Sequence, residues 1–269
     1  MTDGTHPATS AVIDGRTVAR RRSVPVKIRH MGTEATRTIR LSLSGDLSVG
    51  AKIDAPAEMV PSIPGLLLAH GANNDLDHPL LVSVARRIAA ENAALVLRFN
   101  FPYSDRGGSS PDPRPVLEDT YRRAYELLVG DLLGPGAPVF LGGKSLGGRL
   151  AAELVSGMVE GGPLPASGLV VLGYPLHAPG RQDRPNVRPL QGIAIPSLFF
   201  LGTRDPFCEP GLLEPLLAGL ASPGRLFTVE GGDHSFKLPR SSGRAPDDAY
   251  PAIGGEVAAF IREAVKASA

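Results

Sequence analysis

The 269-residue chain has no tryptophan, and aromatic residues make up only 5% of it. It holds one cysteine, Cys208, which excludes an internal disulfide framework and a four-cysteine zinc site. A reducing, cytoplasmic setting is the expectation for such a chain. Charge of one sign is also missing. The 28 Lys and Arg residues nearly balance the 27 Asp and Glu residues, for a formal net charge of +1. Nothing in that balance asks for a nucleic-acid backbone or an anionic membrane, so neither partner is expected. Long apolar runs are absent too. Stretches such as Gly65-Leu66-Leu67-Leu68-Ala69 fall far short of the roughly 20 residues needed to span a bilayer. The first seven residues have neither a basic start nor an apolar stretch, so no secretory signal is expected. Arg20-Arg21-Arg22 could open an export signal, but Val24-Pro25-Val26-Lys27-Ile28-Arg29 follows where an apolar run would be required.

What is present is enough to build a core, since 42% of residues are apolar. Gly (32) and Pro (26) are abundant and punctuate the chain with turns. Residues 1–22 are small, polar and basic without periodicity and read as a flexible tail; residues 23–269 read as one domain. Within that domain the strand candidates are Thr38–Leu43, Val49–Asp54, Gly65–Ala69, Ala94–Phe99, Pro138–Gly142, Gly168–Leu172, Pro196–Leu201 and Leu226–Glu230. The last six are nearly all apolar, as expected of parallel strands covered on both faces.

Helical stripes fall between the strands. Leu80, Leu81, Val84, Ala85 and Ile88 form one, with Asp77 and Pro79 as start signals. Leu117, Tyr121, Ala124, Leu127 and Leu128 form a second, and Leu146, Leu150, Leu154, Val155 and Met158 a third. Ile253, Val257, Phe260, Ile261 and Val265 close the chain with a fourth. Strands alternating with helices imply βαβ units and one mixed or parallel sheet.

One segment carries chemistry more clearly than any other. Gly142-Gly143-Lys144-Ser145-Leu146-Gly147-Gly148 directly follows an apolar strand and opens a helical stripe, and it contains Gly-x-Ser-x-Gly. A serine nucleophile on a sharp strand-to-helix turn needs flanking glycines, because side chains there would collide with the backbone. Gly143-Lys144-Ser145 also resembles the end of a phosphate-binding loop. That motif requires a glycine where Pro138 stands, inside a strand, so the nucleotide reading is set aside.

Such a serine needs a base, and the base needs an orienting acid. Asp205 in Gly202-Thr203-Arg204-Asp205-Pro206 follows one apolar strand, and His234 in Gly232-Asp233-His234-Ser235-Phe236 follows the next. Both would reach the carboxyl edge of the sheet beside Ser145. Asp233 is too near His234 in sequence to orient it and is expected to shape the loop. Asp183, in a Pro-rich loop one strand earlier, is the rival acid. The oxyanion hole takes one amide after the nucleophile, Leu146, and one from the loop His70-Gly71-Ala72, assigned to Ala72 with Asn73 as the fallback. His177 follows Gly173-Tyr174-Pro175-Leu176 at a strand end, where it could line a pocket, although a partly exposed structural role is the stronger expectation. No grouping of ligand residues has metal spacing, and no metal or other cofactor is expected.

The chain resembles the α/β-hydrolase superfamily, and within it the small KANL3/Tex30-like family related to dienelactone hydrolase. The resemblance rests on Ala69-His70-Gly71-Ala72, Leu97-Arg98-Phe99-Asn100-Phe101-Pro102-Tyr103, Gly142 to Arg149, Leu172 to His177, Gly202 to Pro206 and Gly232 to Lys237. It implies an eight-stranded, mostly parallel sheet with an antiparallel N-terminal strand, and a catalytic triad of Ser145, Asp205 and His234. A substrate pocket would draw on His70, Gly71, Asn73, Phe101, Tyr103, Tyr174 and His177. The short Pro- and Arg-rich stretch from Gly173 to Ile195 stands where lipases insert a lid, so an open site without a large lid is expected. Arg98, Arg149, Arg181, Arg184 and Arg204 would lie near its mouth, as a solvated face or as an attraction for an anionic substrate. The expected function is hydrolysis of a carboxylic ester or thioester of a small-molecule acyl substrate. A non-catalytic binding or scaffold protein on the same fold, or a peptidase, is the alternative. Nothing in the sequence decides between monomer and homodimer.

Overall fold

The computed structural model describes residues 36–268 and, upstream, an antiparallel pairing of β1 (Val12–Ile13) with β2 (Arg16–Thr17). The rest of the expected tail, and residues 23–35, lie outside the described residues. The main sheet has eight strands: β3 (Thr36–Ser42), β4 (Ser48–Asp54), β5 (Gly65–Ala69), β6 (Leu95–Phe99), β7 (Val139–Lys144), β8 (Gly168–Leu172), β9 (Ser197–Gly202) and β10 (Arg225–Val229). Their order across the sheet is β10-β9-β8-β7-β5-β6-β4-β3. β4 runs antiparallel to both neighbours, β3 and β6, and every other pairing is parallel. The reversed strand is thus the second of the N-terminal hairpin.

Among the described residues seven α-helices pack around the sheet: α1 (Pro79–Ala90), α2 (Pro102–Asp105), α3 (Arg114–Leu127), α4 (Leu146–Val155), α5 (Arg188–Gln191), α6 (Pro210–Ala218) and α7 (Tyr250–Ser268). The unbroken apolar strands divide by the two-residue period of the pleat. In β5, Leu66 and Leu68 face Leu80, Val84, Ile253 and Phe260 of α1 and α7. Leu67 faces the opposite core, with Tyr121, Leu150, Leu154 and Leu213 of α3, α4 and α6. Each such leucine contributes about 1.5–3 kcal/mol by leaving water, which requires helices on both faces. On the second face Tyr121 also ties α3 to β7, its hydroxyl donating to Gly142 O and accepting from Gly142 N–H, both at 3.0 Å.

Several expectations need correction. β10 is an edge strand with largely exposed or half-buried residues, not one covered on both faces. α4 stops at Val155, because Gly157 turns into the left-handed region (φ +72°); Met158 is 37% exposed and outside the stripe. α1 is capped by His78, whose Nδ1 accepts from Leu80 N–H at 3.3 Å, while Asp77 pairs with Lys52. α6 escaped the periodicity because Pro215 lies inside it. Between β8 and β9 the chain forms a loop with only the four-residue α5, so no long helical cover stands over that edge among the described residues.

Candidate active site

Because β5, β7, β8, β9 and β10 are parallel, their carboxyl ends share one edge, and the loops that follow them meet there. Ser145 sits at the end of β7 with φ 50° and ψ −112°, a conformation costing roughly 1–3 kcal/mol outside glycine. Its N–H donates to Leu172 O at 3.0 Å, and its carbonyl accepts from Arg149 N–H at 2.9 Å as α4 begins. The turn closes only because its neighbours have no side chains. A Cβ on Gly143 would lie 2.6 Å from the Gly147 carbonyl carbon, and one on Gly147 would lie 2.7 Å from both Ala69 O and His70 O.

His234 arrives from the loop after β10. Its Nε2 is 2.8 Å from Ser145 Oγ, and its Nδ1 is 2.7 Å from Asp205 Oδ2. The other carboxylate oxygen, Oδ1, accepts from Phe207 N–H at 2.9 Å. Asp205 is buried, with no side-chain exposure at all. With Nδ1–H donated to the carboxylate, Nε2 is left as an acceptor facing the serine hydroxyl. This arrangement lets an imidazole take a proton from a serine. The Phe207 ring lies 4.4 Å from the imidazole and limits its tilt. Asp233 shapes the loop by accepting from Ser235 N–H and Lys237 N–H through one oxygen. The rival acid is placed elsewhere: Asp183 is 66% exposed and, among the described residues, pairs with Arg181 and Arg184.

Across from His234 lies the loop after β5. The Leu146 N–H is the first of α4, where the helix has no internal acceptor for it. Gly71 packs against the elbow so closely that a Cβ there would lie 3.2 Å from Ser145 Cβ. Ala72 follows it and is exposed, as is Asn73, which takes a left-handed conformation (φ 56°). His70 holds this loop from below. Its Nδ1 donates to Gly71 O at 2.8 Å, and its Nε2 accepts from Phe101 N–H at 3.0 Å. Burial lowers its pKa to about 4, so it is neutral at pH 7.

The aromatic residues expected in the pocket are largely interior. Phe101 and Tyr103 stack, and the Tyr103 hydroxyl donates to Gly71 O at 3.2 Å; both support the loop. Tyr174 is buried, with its hydroxyl 3.4 Å from Asn186 O. His177 is buried as well, and its N–H donates to Phe207 O at 3.0 Å. His70, Phe101, Tyr103, Tyr174 and His177 thus form the wall behind the site, leaving Ala72 and Asn73 at its surface. Arg98 is not at any mouth. Its Nε donates to the buried Asp54 carboxylate at 2.8 Å, linking β6 to its neighbour β4. Arg149 is tied to Glu153 at 2.9 Å. Phe207 went unnoticed in the sequence, although Asp-x-Phe after a strand is the spacing at which an aspartate side chain accepts from its own backbone two residues on.

No helix among the described residues is long and apolar enough to cross a membrane. Residues 63–262 match the family model described as Alpha/beta hydrolase domain. Among solved structures, Est1E from Butyrivibrio proteoclasticus is 12% identical, with 85% of this chain and 99% of that chain covered and a TM-score of 0.65. Dienelactone hydrolase from Anabaena variabilis is 18% identical over 86% of this chain and 99% of that one, with a TM-score of 0.61. A serine hydrolase without a lid from Xanthomonas campestris is 18% identical over 88% and 95%, also with a TM-score of 0.61. The chain belongs to the Alpha/beta hydrolase domain family, and its sheet is that of the α/β-hydrolase fold.

Proposed function

We propose that this α/β-hydrolase is a serine hydrolase that cleaves a carboxylic ester or thioester of a small acyl substrate through an acyl-enzyme on Ser145. The observation that carries the reading is the row Asp205–His234–Ser145, joined at 2.7 and 2.8 Å on a strained elbow. As Ser145 Oγ bonds to the acyl carbon, its proton passes to His234 Nε2. The carbonyl π pair moves onto oxygen, where the Leu146 and Ala72 amides receive it. Collapse of the tetrahedral intermediate breaks the bond to the alcohol or thiol, which leaves with the proton from His234. Water then attacks the acyl-enzyme and gives a proton to His234. Release of the carboxylic acid returns that proton to Ser145. Asp205 holds the imidazole in the tautomer that makes both transfers possible.

The placement near dienelactone hydrolase, in a KANL3/Tex30-like branch, and the cytoplasmic setting inferred from the single cysteine, buried Cys208, belong to the same proposal. A fluorophosphonate probe tests it. Wild type should label stoichiometrically and hydrolyse p-nitrophenyl esters or acyl thioesters of some chain length, whereas Ser145→Ala should do neither and keep its melting temperature. A wild type that is folded but unlabelled would leave the scaffold reading in its place. A Ser145→Ala variant that keeps more than a few per cent of wild-type kcat would remove Ser145 as nucleophile.

A further inference from the structure

Lys144 stands immediately before Ser145 and closes β7. The pleat turns Gly143 toward α4 and Lys144 to the other face, where the head of α1 and the His234 loop lie. The residue is only 4% exposed, and among the described residues its ammonium makes no hydrogen bond and no ion pair. A Cβ placed on Gly71 would lie 3.7 Å from Lys144 Nζ and 3.2 Å from Ser145 Cβ. The ammonium and the serine side chain therefore flank the same spot on the loop, one residue before the Ala72 amide.

The groups facing it leave it without a dedicated counter-ion. Asp205 and Asp233 attract it and Lys237 repels it, but neither carboxylate pairs with it. Asp205 is committed to His234 and Phe207 N–H, and one oxygen of Asp233 to two backbone amides. His78, at the head of α1, has its pKa lowered to about 4 by burial and then by Lys144 and Lys237, so it adds no charge at pH 7. An ammonium largely withdrawn from water, with no carboxylate paired to it, weakens the fold. Charges kept at such a cost mark functional sites when they border a reacting centre.

We propose that Lys144 is a positioning residue for acyl transfer, its fixed positive charge favouring the negative charge that develops at the oxyanion hole, through the Gly71–Ala72 loop and without touching substrate. The inference rests on Ser145 being the nucleophile. Because the oxyanion exists in the transition state and not in the bound ester, loss of the charge should appear in kcat and not in KM. The ammonium must also be protonated to act. Burial holds Lys144 below the ordinary lysine value, so kcat should fall on the alkaline side as it loses its proton.

The test compares wild type with Lys144→Met, which keeps the length of the side chain and removes the charge, using p-nitrophenyl butyrate across pH 6–10.5. The expected result is a kcat lower by roughly ten- to a hundredfold at pH 7.5. KM should stay within about threefold, the alkaline fall in kcat should vanish, and the melting temperature should be equal or higher. The proposal is overturned if Lys144→Met keeps kcat within about twofold, or if kcat drops but the alkaline fall persists. It is also overturned if the variant raises KM for a dicarboxylic acid monoester at unchanged kcat, since the ammonium would then bind a substrate carboxylate. If the variant does not fold, wild type still decides: a kcat that stays level to pH 10.5, with unchanged circular dichroism, refutes the role. Fluorophosphonate labelling separates the two readings. An unlabelled wild type overturns both, and a labelled wild type with an indifferent Lys144→Met overturns this one alone.

Discussion

Replacing Asp205 by asparagine separates the orienting role of the acid from its bulk, and the structure sets the size of the effect. The two oxygens of Asp205 have different partners: Oδ1 accepts from Phe207 N–H at 2.9 Å, and Oδ2 faces His234 Nδ1 at 2.7 Å. An asparagine has one acceptor and one donor at these positions. Keeping its oxygen on Phe207 N–H points its NH₂ at Nδ1, which must then accept. The ring proton moves to Nε2, and Nε2 can no longer take the proton of Ser145. This wrong tautomer costs on the order of 10⁴ in kcat, or about 5.4 kcal/mol. The amide can escape by flipping, at the expense of setting two buried donors against each other, a penalty of about 1–3 kcal/mol. That route alone loses about ten- to a hundredfold, and the imidazolium then also lacks its carboxylate. Asp205→Asn is therefore expected to lower kcat for p-nitrophenyl ester hydrolysis by roughly 10²–10⁴, with KM changed less than a few-fold. Asp183→Asn, in an exposed group paired with two arginines, should change neither. Retention of more than about a tenth of wild-type kcat by Asp205→Asn, or a greater loss with Asp183→Asn, would refute the reasoning.

Gly147→Val should cost a few kcal/mol, because its Cβ would sit 2.7 Å from two backbone carbonyl oxygens that no side-chain motion relieves. About 3 kcal/mol corresponds to a melting temperature lower by roughly 6–12 °C in a chain of this size, and an unchanged thermal scan would show that the elbow is not tight. Acid should loosen the loop after β5 through His70, whose folded pKa of about 4 lies below its ordinary 6.5. Between those values the unfolded chain binds a proton that the folded chain does not, so stability is complete above about pH 6.5 and declines as pH falls toward 4. Denaturant midpoints across that window should show the decline, and His70→Gln should lessen it, the remainder coming from His78, which is lowered to about 4 as well.

The strands and the elbow were legible because each rests on a local rule. Unbroken apolar runs demand cover on both faces, and Gly-x-Ser-x-Gly between a strand and a helix demands a tight turn. Ser145, Asp205 and His234 could be named together because parallel strands bring their following loops to one edge. What stayed hidden depends on tertiary placement. Arg98 lies in a segment that belongs near the site, yet its side chain leaves the edge to neutralise Asp54 inside the sheet, and no spacing reveals that partner 44 residues away. Tyr103 and His177 stand at strand ends as pocket residues would, but they turn inward to hold the loops. α6 went unseen because Pro215 breaks the pattern while tertiary packing of Leu213 and Leu217 holds the helix.

The glycines at this edge are better read as one device than as separate turns. Gly147 admits the carbonyls of Ala69 and His70, which presses the loop carrying Ala72 onto the elbow. Gly202, at the end of β9, admits the carbonyls of Gly232 and Asp233, where a Cβ would lie within 2.5 Å of both oxygens. Gly173, at φ +74°, leaves the His234 carbonyl oxygen 3.1 Å from where its Cβ would be. Each contact joins two loops that arise from different strands. The distances between Ser145, His234 and the amides of Ala72 and Leu146 are therefore fixed by backbone against backbone, which has no rotamers to lose. Such a site needs no closing segment to assemble it, in keeping with the short connection between β8 and β9. With Ser145 as the proposed nucleophile, specificity would come from the surface that Ala72, Asn73 and the residues around them present, and rate from charges already in place before substrate arrives.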